Sequence, residues 1–198
     1  MRKNIIISGI ALTSAVLLGA CSSNDSTPGT DHSSPAPAPS PSALAAADHN
    51  TEDATFAQQM VPHHSQALDM AKLVPSRSTN PKVIDLASRI ERAQGPEIRQ
   101  MQSWLTAWGA DMPGMPGMNG SMPGMMSGTD LTKLEGAEGT EFDKMWLDMM
   151  IRHHQGAVDM AKAELSTGSN VDAKALAQKI IDAQEAEITE MQELLTQS

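Results

Sequence analysis

The chain has 198 residues, a formal net charge of −10 at pH 7 and a single cysteine. Its acidic balance argues against nucleic acid and anionic lipid headgroups as partners. One cysteine leaves no pair for an internal disulfide and no set of thiolates for a metal. The sequence also contains no glycine-rich phosphate loop, haem-attachment motif or nucleophile motif, which argues against the enzyme classes that depend on them.

The first 49 residues are predicted to export and anchor the protein. Residues 1–20 combine a basic start at Arg2 and Lys3 with a short apolar run, and small residues precede Cys21. This pattern is typical of a lipoprotein signal peptide that is cleaved before Cys21, which then carries the lipid. Residues 21–49 are rich in Ser, Thr, Pro, Gly and Ala and are predicted to form a disordered tether. We therefore expect an extracytoplasmic protein that is lipid-anchored to the bacterial cell membrane.

A duplication organises the rest of the chain. Residues 53–108 and 143–198 align at one fixed offset, with 22 of 56 positions identical. Such a register over a whole segment indicates two copies of one structural unit. We place the first repeat at 50–108, the second repeat at 140–198 and a linker at 109–139.

Each repeat is predicted to form a helical hairpin. In the first repeat, Asn50 offers an N-cap, and apolar residues then recur with helical spacing. This spacing places His63 and His64 on the buried stripe of the helix. Pro75 and the polar residues after it are predicted to end the helix, and Asn80 is predicted to cap the next one.

The second helix of this hairpin has Pro81 in its first turn, should kink at Gly95-Pro96 and meets Gly109 as a C-cap. In the second repeat the helices are predicted from about Thr140 to Leu165 and from Asn170 to Gln197. Two hairpins that are each apolar on one side bury that side only against each other. The predicted fold is therefore all-α, a four-helix bundle with an approximate two-fold axis.

The linker is unusually rich in methionine. Proline and glycine are dense enough in residues 112–126 to exclude a helix or a strand. Its methionines are either incidental in a flexible linker or form a mobile arm for Cu(I), since closely spaced thioethers suit a soft ion. The candidates are Met112, Met115, Met118, Met122, Met125 and Met126.

Histidine and methionine share one helix face in both repeats, which predicts a metal site. Imidazole suits zinc, copper, iron and nickel, and thioether sulfur narrows the choice toward copper, with zinc and iron as alternatives. The candidate ligands are Met60, His63, His64, Met70, Met150, His153, His154 and Met160. A second set on the facing helices comprises Gln94, Glu97, Met101, Gln184, Glu187 and Met191.

Two other aspartates belong to the repeated block but point away from this face. Asp69 and Asp159 fall about 180° from the first methionine of each copy. We expect them to be solvated or paired with Lys72 and Lys162.

Two other functions stay open besides the sequestration or handover of a metal. In the first, the methionines fill the core and the histidines are held by Glu97 and Glu187, so that the protein is a non-catalytic interaction module of the envelope. In the second, the protein is a metal-dependent oxidase. Ferritin-like di-iron sites use a Glu-x-x-His pattern, and here Met60 and Met150 occupy the glutamate position. The sequence therefore leans away from an enzyme.

The block Met-x-x-His-His-x-x-Ala-x-x-Met, followed by Ile-x-x-x-Gln-x-x-Glu-Ile-x-x-Met, resembles the secreted bacterial domain-of-unknown-function family numbered 305. The resemblance implies a ferritin-like helical fold with two helices per repeat. It also implies copper binding outside the cytoplasm, carried by the paired histidines and their flanking methionines. Copper would be sequestered or handed to an envelope copper-handling protein. Pro62 and Gly95-Pro96 have no counterpart in the second copy, so we do not expect the two halves to bind equally.

Overall fold

A computed structural model describes residues 48–110 and 122–197 of the chain. Within these ranges the protein consists of helices without strands, which confirms the predicted all-α class. The predicted signal peptide, Cys21, most of the predicted tether, and Met112, Met115 and Met118 lie outside the described residues. The helices are α1 (Thr51–Arg77), α2 (Pro81–Trp108), α3 (Gly128–Gly136), α4 (Gly139–Thr167) and α5 (Val171–Gln197).

The helix ends follow their capping residues. Asn50 accepts a hydrogen bond from the backbone N–H of Asp53, and the Asp53 carboxylate accepts one in return from the Asn50 backbone. Asn80 caps α2 ahead of Pro81, and Gly109 ends α2 in the left-handed conformation, at a φ of 63°. These caps satisfy backbone groups that have no partner inside the helix, as predicted.

Three prolines lie inside the long helices of the first hairpin. Pro62 and Pro75 both lie inside α1, which continues to Arg77, so the prediction that Pro75 ends this helix is wrong. Helix α2 runs without a break through Gly95-Pro96. The free energy gained by packing these helix faces in the interior exceeds the cost of the backbone hydrogen bonds that proline removes.

A short helix, α3, forms inside the segment predicted to be a linker. The Ser127 hydroxyl accepts from the backbone N–H of Asp130, and the Asp130 carboxylate accepts from Ser127, which completes a capping box. Leu134 on this helix is fully buried. Proline and glycine become less frequent after residue 124, and the Ser127–Asp130 pair is a local signal for the start of a helix that the linker prediction did not include.

The two hairpins α1–α2 and α4–α5 pack mainly through α1 and α4. The interior is divided into two apolar clusters, and each cluster takes residues from both repeats. The first contains Met70, Val74, Leu86, Trp146, Met150 and Met191, and the second contains Met60, Met101, Trp104, Val158, Met160 and Ile180. Neither hairpin could therefore bury its apolar face alone. Within the described residues, no helix has the length and hydropathy needed to cross a membrane.

One end of the bundle is closed by a buried carboxylate. Asp53 Oδ1 accepts from the backbone N–H groups of Ser169 and Asn170 at 3.0 and 2.9 Å, so that α1 holds the turn between α4 and α5. Glu164 lies against Asp53 and is only 2% exposed. Gly168 makes room for this pair, because a Cβ there would collide with the Glu164 carboxyl and lie 2.8 Å from Asp53 Oδ1.

The start of the described chain is also ordered. The ring of His49 stacks on Trp108 with centroids 4.7 Å apart and planes 8° from parallel. The predicted tether therefore ends at the aromatic end of α2.

Candidate metal centre

The four histidines of the duplicated block lie in the interior, between the two apolar clusters. Along α1, the buried apolar residues up to Val61 belong to the second cluster and those from Ala67 onward belong to the first. Along α4, those up to Met150 belong to the first cluster and those from Ala157 onward belong to the second. The histidines occupy these two gaps, and all four are at most 1% exposed. The rings of His63 and His153, one from each repeat, approach to a centroid distance of 3.8 Å with 35° between their planes.

The second histidine of each pair is held by a glutamate of its own hairpin. His64 Nε2 lies 3.0 Å from Glu97 Oε2, and His154 Nε2 lies 2.8 Å from Glu187 Oε2. The two pairs differ in their surroundings, because Lys179 from the other repeat reaches Glu97 Oε1 at 3.2 Å. The Glu97 carboxylate is thus shared between two donors.

Three of the buried histidines, His63, His64 and His153, are neutral at pH 7. Burial, with a smaller contribution from the neighbouring His64, lowers the pKa of His63 to about 3. Burial also lowers the pKa of His153 far below its ordinary value; the His63 backbone offsets this effect slightly. The pKa of His64 is lowered by burial as well, although Glu97 opposes the shift. A neutral imidazole keeps one nitrogen lone pair, which is the form that binds metals.

Glu97 is the charged member of its pair. Burial opposes ionisation of this carboxyl, but the His64 hydrogen bond and Lys179 outweigh burial and lower its pKa. A neutral imidazole beside a carboxylate donates its proton, so Nε2 of His64 carries the hydrogen and Nδ1 keeps the lone pair. The same geometry orients ligating histidines in many metal proteins.

The nitrogens that remain have no hydrogen-bond partner among the described residues. They are Nδ1 of His63, His64, His153 and His154, together with Nε2 of His153. Buried polar atoms without a partner are rare in folded proteins. Metal coordination would satisfy the nitrogens that keep a lone pair. These side chains therefore suit a metal ion that binds imidazole.

Thioethers lie on both sides of the histidine layer. Met60, Met101 and Met160 belong to one cluster, and Met70, Met150 and Met191 belong to the other. The two trios exchange under the 90-residue offset of the duplication. All six side chains are at most 8% exposed. The structure thus places the predicted methionines beside the histidine layer rather than on the surface.

The predicted glutamines are buried on the facing helices. Both amide atoms of Gln94 and Oε1 of Gln184 make no hydrogen bond within the described part of the chain. In that part, no three side chains drawn from His, Cys, Asp and Glu are already arranged to hold a metal ion.

Part of the linker contributes to the centre, which the sequence did not predict. The carbonyl of Pro123 lies 3.0 Å from His63 Nε2. Met122 and Met126 on either side are buried, so this part of the linker is docked and does not act as the mobile arm that was expected. A backbone carbonyl leaves no mark in a sequence, so only the structure reveals its role.

The aspartates of the repeated block lie on the surface. Asp69 pairs with Lys72 at 2.9 Å, as expected. Asp159 is exposed, and Lys162 pairs with Glu185 at 2.9 Å instead.

Comparison with known proteins places this chain in a family. The family model described as "Domain of unknown function (DUF305)" matches residues 53–195, which span both hairpins. The chain belongs to the DUF305 family. This confirms the resemblance drawn from the paired histidines.

Solved structures of DUF305 proteins share the fold. A fragment from Deinococcus radiodurans is 34% identical with a TM-score of 0.69, over 75% of this chain and 98% of that chain. A Streptomyces coelicolor member, named as a secreted protein, is 32% identical with a TM-score of 0.68, over 74% and 93%.

A further structural relative, CopM, has been crystallised with copper. Its Cu(I)-bound form is 31% identical to this DUF305 protein with a TM-score of 0.63, over 73% of this chain and 96% of CopM. Its Cu(II)-bound form gives 33% and 0.64. An uncharacterized protein of Acanthamoeba polyphaga mimivirus is 37% identical over 54 residues, and this match spans 36% of that protein's length.

Proposed function

We propose that this DUF305 protein binds copper through imidazole and thioether groups in the interior of its helical bundle. The observation that carries this proposal is the set of five buried imidazole nitrogens of His63, His64, His153 and His154 that make no hydrogen bond to the described residues. The four histidines are the central ligands, and the two methionine trios supply sulfur. Gln94, Glu97, Gln184 and Glu187 orient the ligands or complete the coordination.

Copper fits this donor set better than zinc or iron. Thioether sulfur favours Cu(I), whereas the neutral imidazoles accept either oxidation state of copper. The imidazoles need not lose a proton before they bind, because burial already keeps His63, His64 and His153 neutral. CopM, which has the same fold, is known in Cu(I)-bound and Cu(II)-bound forms.

The task that we assign to the protein is copper sequestration or handover outside the cytoplasm. The signal-like start, lipidation at Cys21 and a tethered domain would place it at the outer face of the bacterial membrane. The secreted Streptomyces relative is in keeping with this location. Handover would require an envelope copper-handling protein as a partner, and the linker methionines other than the buried Met122 and Met126 would assist transfer.

Thermal unfolding with Cu(I), Cu(II) and Zn(II), added in turn, tests the proposal. A ligand present at a hundredfold excess over its dissociation constant stabilises the native state by about 2.7 kcal/mol. We therefore expect the melting temperature to rise most with Cu(I). Elemental analysis of protein from copper-supplemented cells should show bound copper.

Variants separate metal binding from a structural role of the histidines. Replacing His63 and His153 by Ala should abolish the copper-induced shift and the copper content. Replacing His49 by Ala is the matched control, because this histidine stacks on Trp108 away from the centre. If the double variant only lowers stability and copper content stays unchanged, the histidines are structural and the proposal fails.

A further inference from the structure

The docked segment Met122–Met126 spans both helices that carry the histidines. On α1, the Gln66 side chain holds Met126 by two hydrogen bonds: Gln66 Nε2 donates to the Met126 carbonyl at 3.0 Å, and the Met126 N–H donates to Gln66 Oε1 at 2.7 Å. On α4, the segment lies against Gly156. It therefore crosses the bundle where His63 and His153 meet.

Two glycines permit this close approach. Gly124 has a φ of +76°, and a Cβ there would lie 2.6 Å from the carbonyl oxygen of Arg152 and 2.9 Å from that of His153. A Cβ at Gly156 would collide with the Pro123 carbonyl. A side chain at either place would push the segment off α4.

The segment also determines the state of one imidazole. A carbonyl oxygen only accepts hydrogen bonds, so Nε2 of His63 carries the hydrogen when it contacts Pro123. His63 then presents Nδ1 as its lone-pair nitrogen, and this Nδ1 is buried without a partner. Glu97 imposes the same tautomer on His64, and Glu187 faces Nε2 of His154 in the same way. Pro123 thus does for His63 what Glu97 does for His64.

We infer that the segment Met122–Met126 is a positioning element of the metal centre: it fixes the tautomer in which His63 ligates through Nδ1 and limits how fast a metal ion exchanges. The metal in this inference rests on the function proposed above, whereas the tautomer is a property of the metal-free protein. Gln66 and Gly156 are positioning residues, because both act on His63 through Pro123.

Three variants of the full chain test the inference. Gly156→Ala displaces Pro123, and Gln66→Ala removes the two hydrogen bonds that hold Met126. Gly95→Ala is the matched control, because it also adds a methyl group inside a long helix but meets only Arg99 Nη1, at 3.8 Å. Circular dichroism verifies that each variant remains helical, and Gln66→Ala keeps the test open if Gly156→Ala does not fold.

The first measurement is the tautomer of His63, read from its ring nitrogen shifts by NMR in metal-free protein. We expect the Nε2–H form in the wild type and in Gly95→Ala, and a mixture of tautomers in Gly156→Ala and Gln66→Ala. An unchanged Nε2–H form in both test variants would overturn the inference, whether or not the protein binds copper.

The second measurement is the transfer of Ag(I), a redox-stable probe for Cu(I), from loaded protein to a competing chelator. Loss of two hydrogen bonds should accelerate transfer about tenfold in Gln66→Ala, with the Gly95→Ala rate unchanged. Equal rates in all loaded proteins would overturn the gating role. Absence of bound metal from every protein would instead contradict the proposed function, and the tautomer result would still decide the positioning role.

Discussion

His63 and His153 occupy the same position of the two repeats, yet they are held differently. The Nε2 atom of His63 contacts the Pro123 carbonyl, whereas neither ring nitrogen of His153 makes a hydrogen bond to a described residue. Position 66 of the first repeat is the Gln66 that holds the linker, and its counterpart Gly156 leaves space for that linker. The duplication therefore preserves the ligands and changes the residues that orient them.

The same contrast appears at the two ends of the bundle. Glu164 lies beside Asp53 at one end, and its counterpart in the first repeat is Val74, which is fully buried among apolar side chains. One end thus contains a second buried carboxyl where the other contains a hydrocarbon. Equivalent positions in the two repeats therefore differ in their tolerance for a charged side chain.

Exchanging this difference should produce the largest effect. Val74→Glu places a carboxyl in the apolar cluster without a partner, which should lower the free energy of unfolding by roughly 3–5 kcal/mol. Denaturant unfolding at pH 7 measures the loss. The reciprocal variant Glu164→Val should be neutral or stabilising, because Asp53 keeps its hydrogen bonds from Ser169 and Asn170. A loss below about 1 kcal/mol for Val74→Glu would show that the two ends are equivalent.

The Glu164 end should also make stability depend on pH. Burial and, to a smaller extent, the adjacent Asp53 raise the pKa of Glu164 from its ordinary 4.5 to about 8, against the opposing effect of Lys174. Between these values the native state retains a proton that the unfolded state has lost, so this contribution to stability falls as pH rises. The slope should be at most roughly 1 kcal/mol per pH unit.

The comparison with Glu164→Gln isolates this contribution. The buried histidines, with their lowered pKa values, oppose it, because their stabilising effect increases with pH up to their ordinary value of 6.5. The difference in unfolding free energy between wild type and Glu164→Gln should therefore be measured from pH 5 to pH 9. A difference that stays constant over this range would contradict the raised pKa of Glu164.

The smallest effect is expected from Lys179, which distinguishes the two His–Glu pairs. Lys179→Met removes the cation from Glu97 and makes this pair resemble the pair of His154 with Glu187. Because the lysine side chain is 66% exposed, the expected loss is below about 1 kcal/mol. Lys162→Met is the control, since it breaks an ion pair with an exposed glutamate. Thermal unfolding that ranks the control as the more damaging change would show that Glu97 does not need Lys179.

Periodic patterns in the sequence predicted the parts of the fold that depend on burial. The 3.6-residue spacing located the long helices and placed His63 and His153 inside, because an apolar stripe has one favourable orientation. Helix caps at Asn50, Asn80 and Gly109 were predicted because their local chemistry is independent of the rest of the chain.

Contacts between distant segments were not predictable in this way. The pairing of Asp53 with the α4–α5 turn, the reach of Lys179 to Glu97 and the docking of Pro123 on His63 join residues that no local pattern relates. The mismatch of Gln66 with Gly156 did not single out this contact, because it is one of 34 positions (56 minus 22) at which the two copies differ.

The unequal pair at positions 66 and 156 has a consequence for how such a bundle can be assembled. If two separate, identical hairpins associated, both sides of the crossing would carry the same residue. Two glutamines would obstruct the segment Met122–Met126, and two glycines would leave it without the hydrogen bonds that hold Met126. An anchoring glutamine on one helix and a glycine on the other are possible only when both halves belong to one polypeptide, because each half can then change independently.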